Sequence, residues 1–454
     1  MANFELTREY IDNLKELIAA KNEKAISEIL ETLHPADIAE VYEELSIDEA
    51  KYLYFLIDDD TAADVITELE ENDRRRFLES LPSDVIARRF IDNMDSDDAA
   101  DVLGELDNAR QQEVLSHIDD VTAAGDIADL LSYDEDTAGG LMAKELIKVK
   151  ENWGIPTCLR SMRRQAEEVD EIYYVYVVDN NGILKGTLSL KRMLLSPVDV
   201  LVKDIYNSDV ISVKVDVDAE EVSYIMDKYD LVALPVVDSI GRLVGRITID
   251  DVVDVMREEA EKDYQLASGI TEDVEASDNV WQHTRARIPW LLIGLAGGIF
   301  ASWVAFGHID LIDKFPGVAM FMPLIAAMGG NVGMQSSAIV VQSLASGSVG
   351  LDTNWLKLLK ELGIALLNAS ILSSLIFCYS FFFKDDMALT FTLSSAMFSV
   401  VFFASLFGTF VPLMLNKIKI DPAVATGPFI TTMNDIIGMF LYLSIGNVIY
   451  NLMV

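Results

Sequence analysis

Five long apolar stretches, at residues 288–307, 315–341, 362–383, 389–415 and 423–452, constrain the fold more than anything else in the chain. As a helix, each is long enough to cross a hydrocarbon core, which takes roughly 20 mainly apolar residues. In lipid every backbone polar group must be satisfied internally, so the five are expected to form a bundle of spanning helices. Two are not plain apolar rods. The second, FPGVAMFMPLIAAMGGNVGMQSSAIVV, contains Pro323, Gly329, Gly330, Gly333 and the amides of Asn331 and Gln335. Either the small residues let a neighbouring helix come close, or the amides face a water-filled path. The fifth contains Asp435, the one carboxylate deep in a span. Burying a carboxylate there costs about 2.5–3.5 kcal/mol, and no Lys or Arg within a span offers an ion pair. A protonated, structural Asp is one reading; a carboxylate facing water and a cation is the preferred one. Thr431, Thr432 and Asn434 stand close enough in sequence to hold an ion's water shell. Gly427-Pro428 is expected to break the helix and free carbonyls.

Charge divides the chain in two. The net charge is −39, yet from Trp281 onward eight basic residues balance eight acids, so the deficit lies in residues 1–280. A surface so acidic repels nucleic acid and anionic lipid and attracts cations. Six basic residues (Arg285, Arg287, Lys357, Lys360, Lys417 and Lys419) fall on one side of the five spans, and Lys314 and Lys384 on the other. Positive charge stays inside, so the acidic half is expected in the cytoplasm and the C-terminus outside, in a multi-pass protein of the cell membrane. The start, MANFELTREYIDNLKELI, is amphipathic and acidic, and no secretory leader is expected there. Cys158 and Cys378 form no CxxC, and the four histidines form no HExxH. With no Walker A sequence either, an enzyme or an ATP-driven pump of that kind is the least favoured class.

Residues 1–135 read as short helices in series, their starts marked by Pro or Asp: His34-Pro35-Ala36-Asp37, Asp60-Thr61, Leu81-Pro82-Ser83-Asp84 and Asp95-Ser96-Asp97-Asp98. The phrases Asp37-Ile38-Ala39, Asp64-Val65-Ile66 and Asp98-Ala99-Ala100 repeat weakly, which suggests a helical solenoid. Its Asp-rich turns are most economically helix caps. Residues 138–257 contain a clearer duplication. Val177 to Gly186 aligns with Val236 to Gly245, each a β-branched run, a Gly turn and a second strand, followed by a helical pattern. This resembles a tandem pair of CBS domains, which often bind adenine nucleotides through a Thr/Ser-x-x-Asp stretch. Thr248 and Asp251 match that stretch, whereas Arg192 replaces the acid in the first copy. One nucleotide site, or a purely structural dimer-forming pair, is therefore expected.

The second copy is crowded with acids, and Asp251, Asp254, Glu258 and Glu261 fall near one helix face. Like charges so close disfavour a closed arrangement unless a divalent ion lies between them. There is no EF-hand loop, so loose, water-mediated binding of the kind Mg²⁺ accepts fits better than a calcium cage. The polar helical pattern runs on through Tyr264 to Trp281, a candidate lever between the two halves.

Taken together, the chain resembles the MgtE family of magnesium channels and transporters over essentially its whole length. The resemblance rests on the domain order and on three stretches: Asp136-Thr137-Ala138-Gly139-Gly140-Leu141-Met142, Pro323 with Gly330-Asn331-Val332-Gly333-Met334-Gln335, and Asp421-Pro422-Ala423 leading through Gly427-Pro428 to Asp435. It implies a multidomain membrane protein: an acidic α-helical solenoid at 1–135, an α/β CBS pair at 136–257, a linking (plug) helix at 258–284 and a five-helix transmembrane domain at 285–454. It further implies a homodimer with a Mg²⁺-selective path at the dimer interface, lined by the second and fifth spans, with Asp435 holding hydrated Mg²⁺ and Asn331, Gln335, Thr431 and Asn434 lining it. Cytosolic Mg²⁺ would close this path by binding Asp95, Asp98, Asp218, Glu220, Asp250, Asp251, Glu258 and Glu259. ATP at the CBS pair is a further expectation, on Thr248 and Asp251. The alternatives are a proton- or sodium-coupled carrier and a non-transporting magnesium sensor.

Overall fold

The computed structural model describes residues 6–166, 169, 172–271, 274, 278–345, 354–383, 386–425 and 427–453. It divides into two compact units, Met1–Glu258 and Glu259–Val454.

The first unit opens with short helices between Arg8 and Leu130. Helices Pro35–Glu43, Asp59–Thr67, Ser83–Arg89 and Asn108–Leu115 pack one on the next, each two places along the chain, as stacking in a solenoid requires. Their inner faces bury Ile38, Ile66, Ile86 and Val114 in one continuous core with Ile26, Leu53, Leu78 and Leu103. Such short helices lean on their caps. Ser46 and Glu49 form a reciprocal capping box, and the carboxylates of Asp58, Asp107 and Asp120 accept from the first-turn N–H groups. Asp95 is different. It precedes the helix Ser96–Gly104 without a side-chain cap bond, so its carboxylate points elsewhere.

The duplication folds as two matching three-stranded sheets. In the first, β1 (Ile147–Lys150) runs parallel to β2 (Val175–Val178), which is antiparallel to β3 (Leu184–Leu188). In the second, β4 (Val213–Lys214), β5 (Ala233–Val237) and β6 (Leu243–Thr248) repeat that order. The pairs Val177↔Gly186 and Val236↔Gly245 occupy equivalent places, each beside a register shift. Both hairpin turns need a left-handed glycine, Gly182 at φ 83° and Gly241 at φ 88°. The turns join each other: Leu184 N–H donates to Gly241 O at 3.1 Å and Leu243 N–H to Gly182 O at 3.0 Å. The Ala138-Gly139 segment crosses over to the second sheet, where its N–H groups donate to Val217 O and Val215 O. Ala143 then pairs with Arg246 on β6.

The linking helix expected at 258–284 is not one helix. The helix Ile249–Ala267 ends at Gly269, which adopts φ 82°, a stop signal inside the polar run. Thr271 then donates through both N–H and Oγ to Ala286 O, at 3.0 Å each. A new helix starts at Val280, where Asn279 and Gln282 form a capping box.

Among the described residues, five helices of the second unit are long and apolar enough to cross a membrane: Val280–Gly307, Pro316–Leu344, Leu359–Phe382, Met387–Lys417 and Pro428–Met453. The fourth is central. It packs on the second, third and fifth, with Leu393, Ala396, Val400, Val401 and Ala404 buried, while the first packs on the fifth. Pro323 does not loosen the second span. It lies in the first turn of Met322–Ala345, where the missing N–H has no helical partner to lose. The span's glycines serve close packing: a Cβ at Gly329 would meet Val400 and one at Gly333 would collide with Asn434, and on the fourth span one at Gly408 would collide with the Gly333 backbone.

Candidate functional site

Asp435 stands on the fifth span, half-buried, against the second. Gly330 makes room for it: a Cβ there would lie 3.5 Å from Asp435 Oδ1 and 2.9 Å from Thr431 Cγ2. The next residue, Asn331, and Gln335 one turn on are both exposed at the edge of the unit. Thus Asp435, Thr431 and the polar edge of the second span come together. Thr431 is engaged locally, its N–H and hydroxyl donating to Gly427 O at 3.1 and 2.9 Å, so the helix break leaves that carbonyl partnered.

Two neighbours do not join this group. Asn434 faces the opposite way, 1% exposed, against Gly329 and Gly333, and neither atom of its amide has a hydrogen-bond partner. Its place in a lining is corrected to a place in a helix–helix contact. Thr432 fills the space over Gly297 of the first span. Below the fifth span, the end of the linking segment abuts the helix break: Gly427 approaches Ala267 O, and Gly269 approaches Pro428. Nearby, burial and then Asp421 push the Asp263 carboxyl above its ordinary value.

The first unit gathers a second site around the helix Ser96–Gly104. The ligand oxygens of Asp95, Asp97 and Glu145 lie within 4.8 Å of one another. Glu145 is anchored there by Ser96, whose N–H and hydroxyl donate to its Oε2 at 3.2 and 2.7 Å. Asp97 is nearly buried; burial, then Asp251, Asp98 and Asp95, hold its carboxyl well above the usual range. Desolvation and then Asp251 push Asp98 up to about 7, and desolvation and then Asp98 push Asp101 up to about 7. Both still reach solvent, so screening trims the free energy behind these shifts. Asp251 rises to about 6 by burial, against the lowering effect of Thr248, whose N–H and hydroxyl donate to it at 2.9 and 2.7 Å. Arg246 lies 3.6 Å from Asp95 as a countercharge, and Arg74 works against the rise at Asp98 and Asp101.

Of the residues expected to sense a cation, Asp95, Asp98, Asp250 and Asp251 belong to this neighbourhood. Asp218 instead caps the helix Ala219–Lys228, accepting from Glu220 N–H at 3.0 Å. Glu258 and Glu259 lie about two turns along the helix from Asp251, Glu259 paired with Lys262 at 2.9 Å. Thr248 donates through both N–H and hydroxyl to Asp251 Oδ2, which orients that carboxylate. Tyr173, Tyr174, Tyr176 and Arg246 line a small crevice in the CBS pair with no room for a bound molecule. Asp97, Glu145 and Arg246 escaped sequence reasoning. Arg246 left a trace, as a lone charge inside the strand Leu-Val-Gly-Arg-Ile-Thr.

Comparison with known proteins places the whole chain in one family. A family model described as a divalent cation transporter (MgtE) matches residues 322–445, the MgtE intracellular N domain matches 33–136, and the CBS domain matches 138–198 and 202–258. Over 446 residues the chain is 33% identical to the magnesium transporter MgtE of Thermus thermophilus, covering 96% of this chain and 98% of that protein. The chain belongs to the MgtE family of magnesium transporters. Its identity to the MgtE of Bacillus subtilis is 29%, over 92% of each chain. A solved cytosolic domain of the Mg²⁺ channel MgtE, in complex with ATP, is 36% identical with a TM-score of 0.51, covering 54% of this chain and 99% of that one. An MgtE membership accounts for the architecture of helical domain, CBS pair and five apolar helices, and makes divalent metal ions the cargo class. MgtE proteins are transporters, not an enzyme class.

Proposed function

We propose that this chain conducts Mg²⁺ into the cell along a path between two copies of itself, with Asp435 holding the hydrated ion, and that cytosolic Mg²⁺ closes the path through the acid cluster. The observation that carries the reading is the polar edge of the membrane unit. Asn331 and Gln335 are exposed and Asp435 is half-buried beside them, and lipid cannot satisfy these groups. A second copy meeting the first along this edge encloses them and creates a wet, carboxylate-lined passage. Mg²⁺ keeps several waters and is held through one or two carboxylates, which suits a lone Asp flanked by amides. The charge asymmetry of the loops supports a cytoplasmic first unit and an extracytoplasmic C-terminus.

Closure follows from the carboxylates around Asp97. Without a divalent ion their mutual repulsion opposes the packing of the solenoid on the CBS sheets. An ion bound between them favours the packed state in proportion to its differential affinity. The helix from Ile249 carries that change toward Gly269 and the foot of the fifth span. ATP is proposed as a ligand of the CBS pair, on the strength of the ATP-bound relative. Thr248 and Asp251, hydrogen-bonded to each other through Asp251 Oδ2, remain the residues proposed to hold it.

Flux tests the gating. In proteoliposomes, Mg²⁺ uptake by the wild type should be suppressed by high Mg²⁺ on the cytoplasmic face. In a D98N/D251N variant that suppression should need on the order of ten-fold more Mg²⁺. An unchanged inhibition curve would remove these acids from the sensor.

A further inference from the structure

The acid cluster of the first unit has a cation built into it. Arg246 lies on β6, 5% exposed, its backbone locked to Ala143 by reciprocal N–H···O bonds of 2.9 and 2.8 Å. The guanidinium is 3.6 Å from Asp95 Oδ2 and lies over the Tyr173 ring at 5.6 Å. The segment paired to Arg246 continues through Lys144, whose N–H donates to Ser96 Oγ at 2.9 Å, to Glu145, whose carboxylate accepts from Ser96. The pairing of Ala143 with Arg246 therefore brings the guanidinium of β6 and the Glu145 carboxylate to Asp95 and Asp97 together.

We propose that Arg246 is a resident countercation that competes with divalent ions for Asp95, Asp97 and Glu145, and so sets the Mg²⁺ concentration at which the cytoplasmic unit responds. The inference rests on the sensor reading above. Arginine keeps its charge at all relevant pH values, and a stacked, nearly buried one cannot move into water to relieve a clash. A divalent ion entering the cluster must therefore bind against a fixed positive charge a few ångströms away. That repulsion lowers its affinity. In the ion-free state the same charge holds Asp95 in place and offsets part of the repulsion among the carboxylates. Arg246 thus positions a ligand and raises the threshold at once.

The test is a Mg²⁺ titration of the full chain in detergent micelles, following protection of the cytoplasmic half from chymotrypsin. R246Q should lower the midpoint on the order of ten-fold, and R246M, which keeps the bulk without the charge, should do the same and repeats the test where R246Q folds poorly. R246K, which keeps the charge, should stay near the wild-type midpoint, a rescue that a purely space-filling role would not give. In a D95N background R246Q should shift the midpoint less than it does alone. A midpoint unchanged or raised in both R246Q and R246M overturns the proposal while leaving the sensor intact. A wild type that shows no Mg²⁺-dependent protection overturns the sensor reading and this inference with it.

Discussion

Replacing Asp97 by Asn should stabilise the Mg²⁺-free cytoplasmic unit, although it alters a nearly buried residue. Asp97 shares a space with Asp95 and Glu145, their ligand oxygens within 4.8 Å of one another. Two unit charges at about 5 Å repel by roughly 3.5 kcal/mol at an effective dielectric near 20. Arg246 beside Asp95 and the solvent reaching the cluster's rim reduce the net gain from removing one charge to about 1–2 kcal/mol. Asparagine keeps an oxygen for the Asp98 N–H, which donates to Asp97 at 3.0 Å, so the local turn survives. The pH dependence has a definite sign. The Asp97 carboxyl is raised in the folded chain, so its ionisation opposes folding. That penalty is small at about pH 4, where the acid is protonated in the folded chain and only about half ionised in the unfolded one. It grows as the pH rises from there toward the raised folded value and levels off above it, while Asp251 at about 6 and Asp98 at about 7 ionise alongside. Thermal unfolding of the purified chain without Mg²⁺ should show D97N a few degrees above wild type at pH 8 and nearly level with it at pH 4. Adding Mg²⁺ should close the gap by stabilising the wild type more. A D97N protein less stable than wild type at pH 8 without Mg²⁺, or an advantage independent of pH, would refute the reasoning.

Two further predictions concern the membrane unit. Tyr442, fully buried, donates from its hydroxyl to Val318 O at 2.7 Å; Y442F should cost about 1–2 kcal/mol by leaving that carbonyl unpaired, read as a lower unfolding temperature in detergent, and an unchanged temperature would count against the contact. G333L drives a side chain into Asn434 and Ile430 and should cost about 1–3 kcal/mol or more with loss of flux. G294A meets nothing within 4 Å and should leave both unchanged; equal effects of the two would undo the packing argument.

What could be seen in the chain beforehand depended on periodicity. The solenoid core at Ile38, Ile66 and Ile86 and the paired hairpins at Val177 and Val236 repeat in register, so their elements follow from pattern alone. The spans were equally plain, since length and apolarity decide them. The break in the linking helix was harder. Gly269 is a single residue in a long polar run, and only its left-handed backbone marks it as a stop. Asp435 was legible because a carboxylate in a span has few excuses. Asn434, its neighbour, was not: which face of a helix an adjacent amide takes depends on Gly329 and Gly333 of another helix. The acid cluster was half visible. Asp95, Asp98 and Asp251 stand out as carboxylates, but Glu145 joins them only because the Ala143 segment pairs with β6. Non-local pairing of that kind leaves no periodic trace.

The most direct test of the account is Mg²⁺ flux into liposomes by the wild type and Asp435→Ala, each with low and high Mg²⁺ on the cytoplasmic face. The account predicts wild-type flux down the Mg²⁺ gradient, suppressed by high cytoplasmic Mg²⁺, and little flux through the mutant at either concentration. Flux that persists in Asp435→Ala would take Asp435 out of the ion's path and contradict the account.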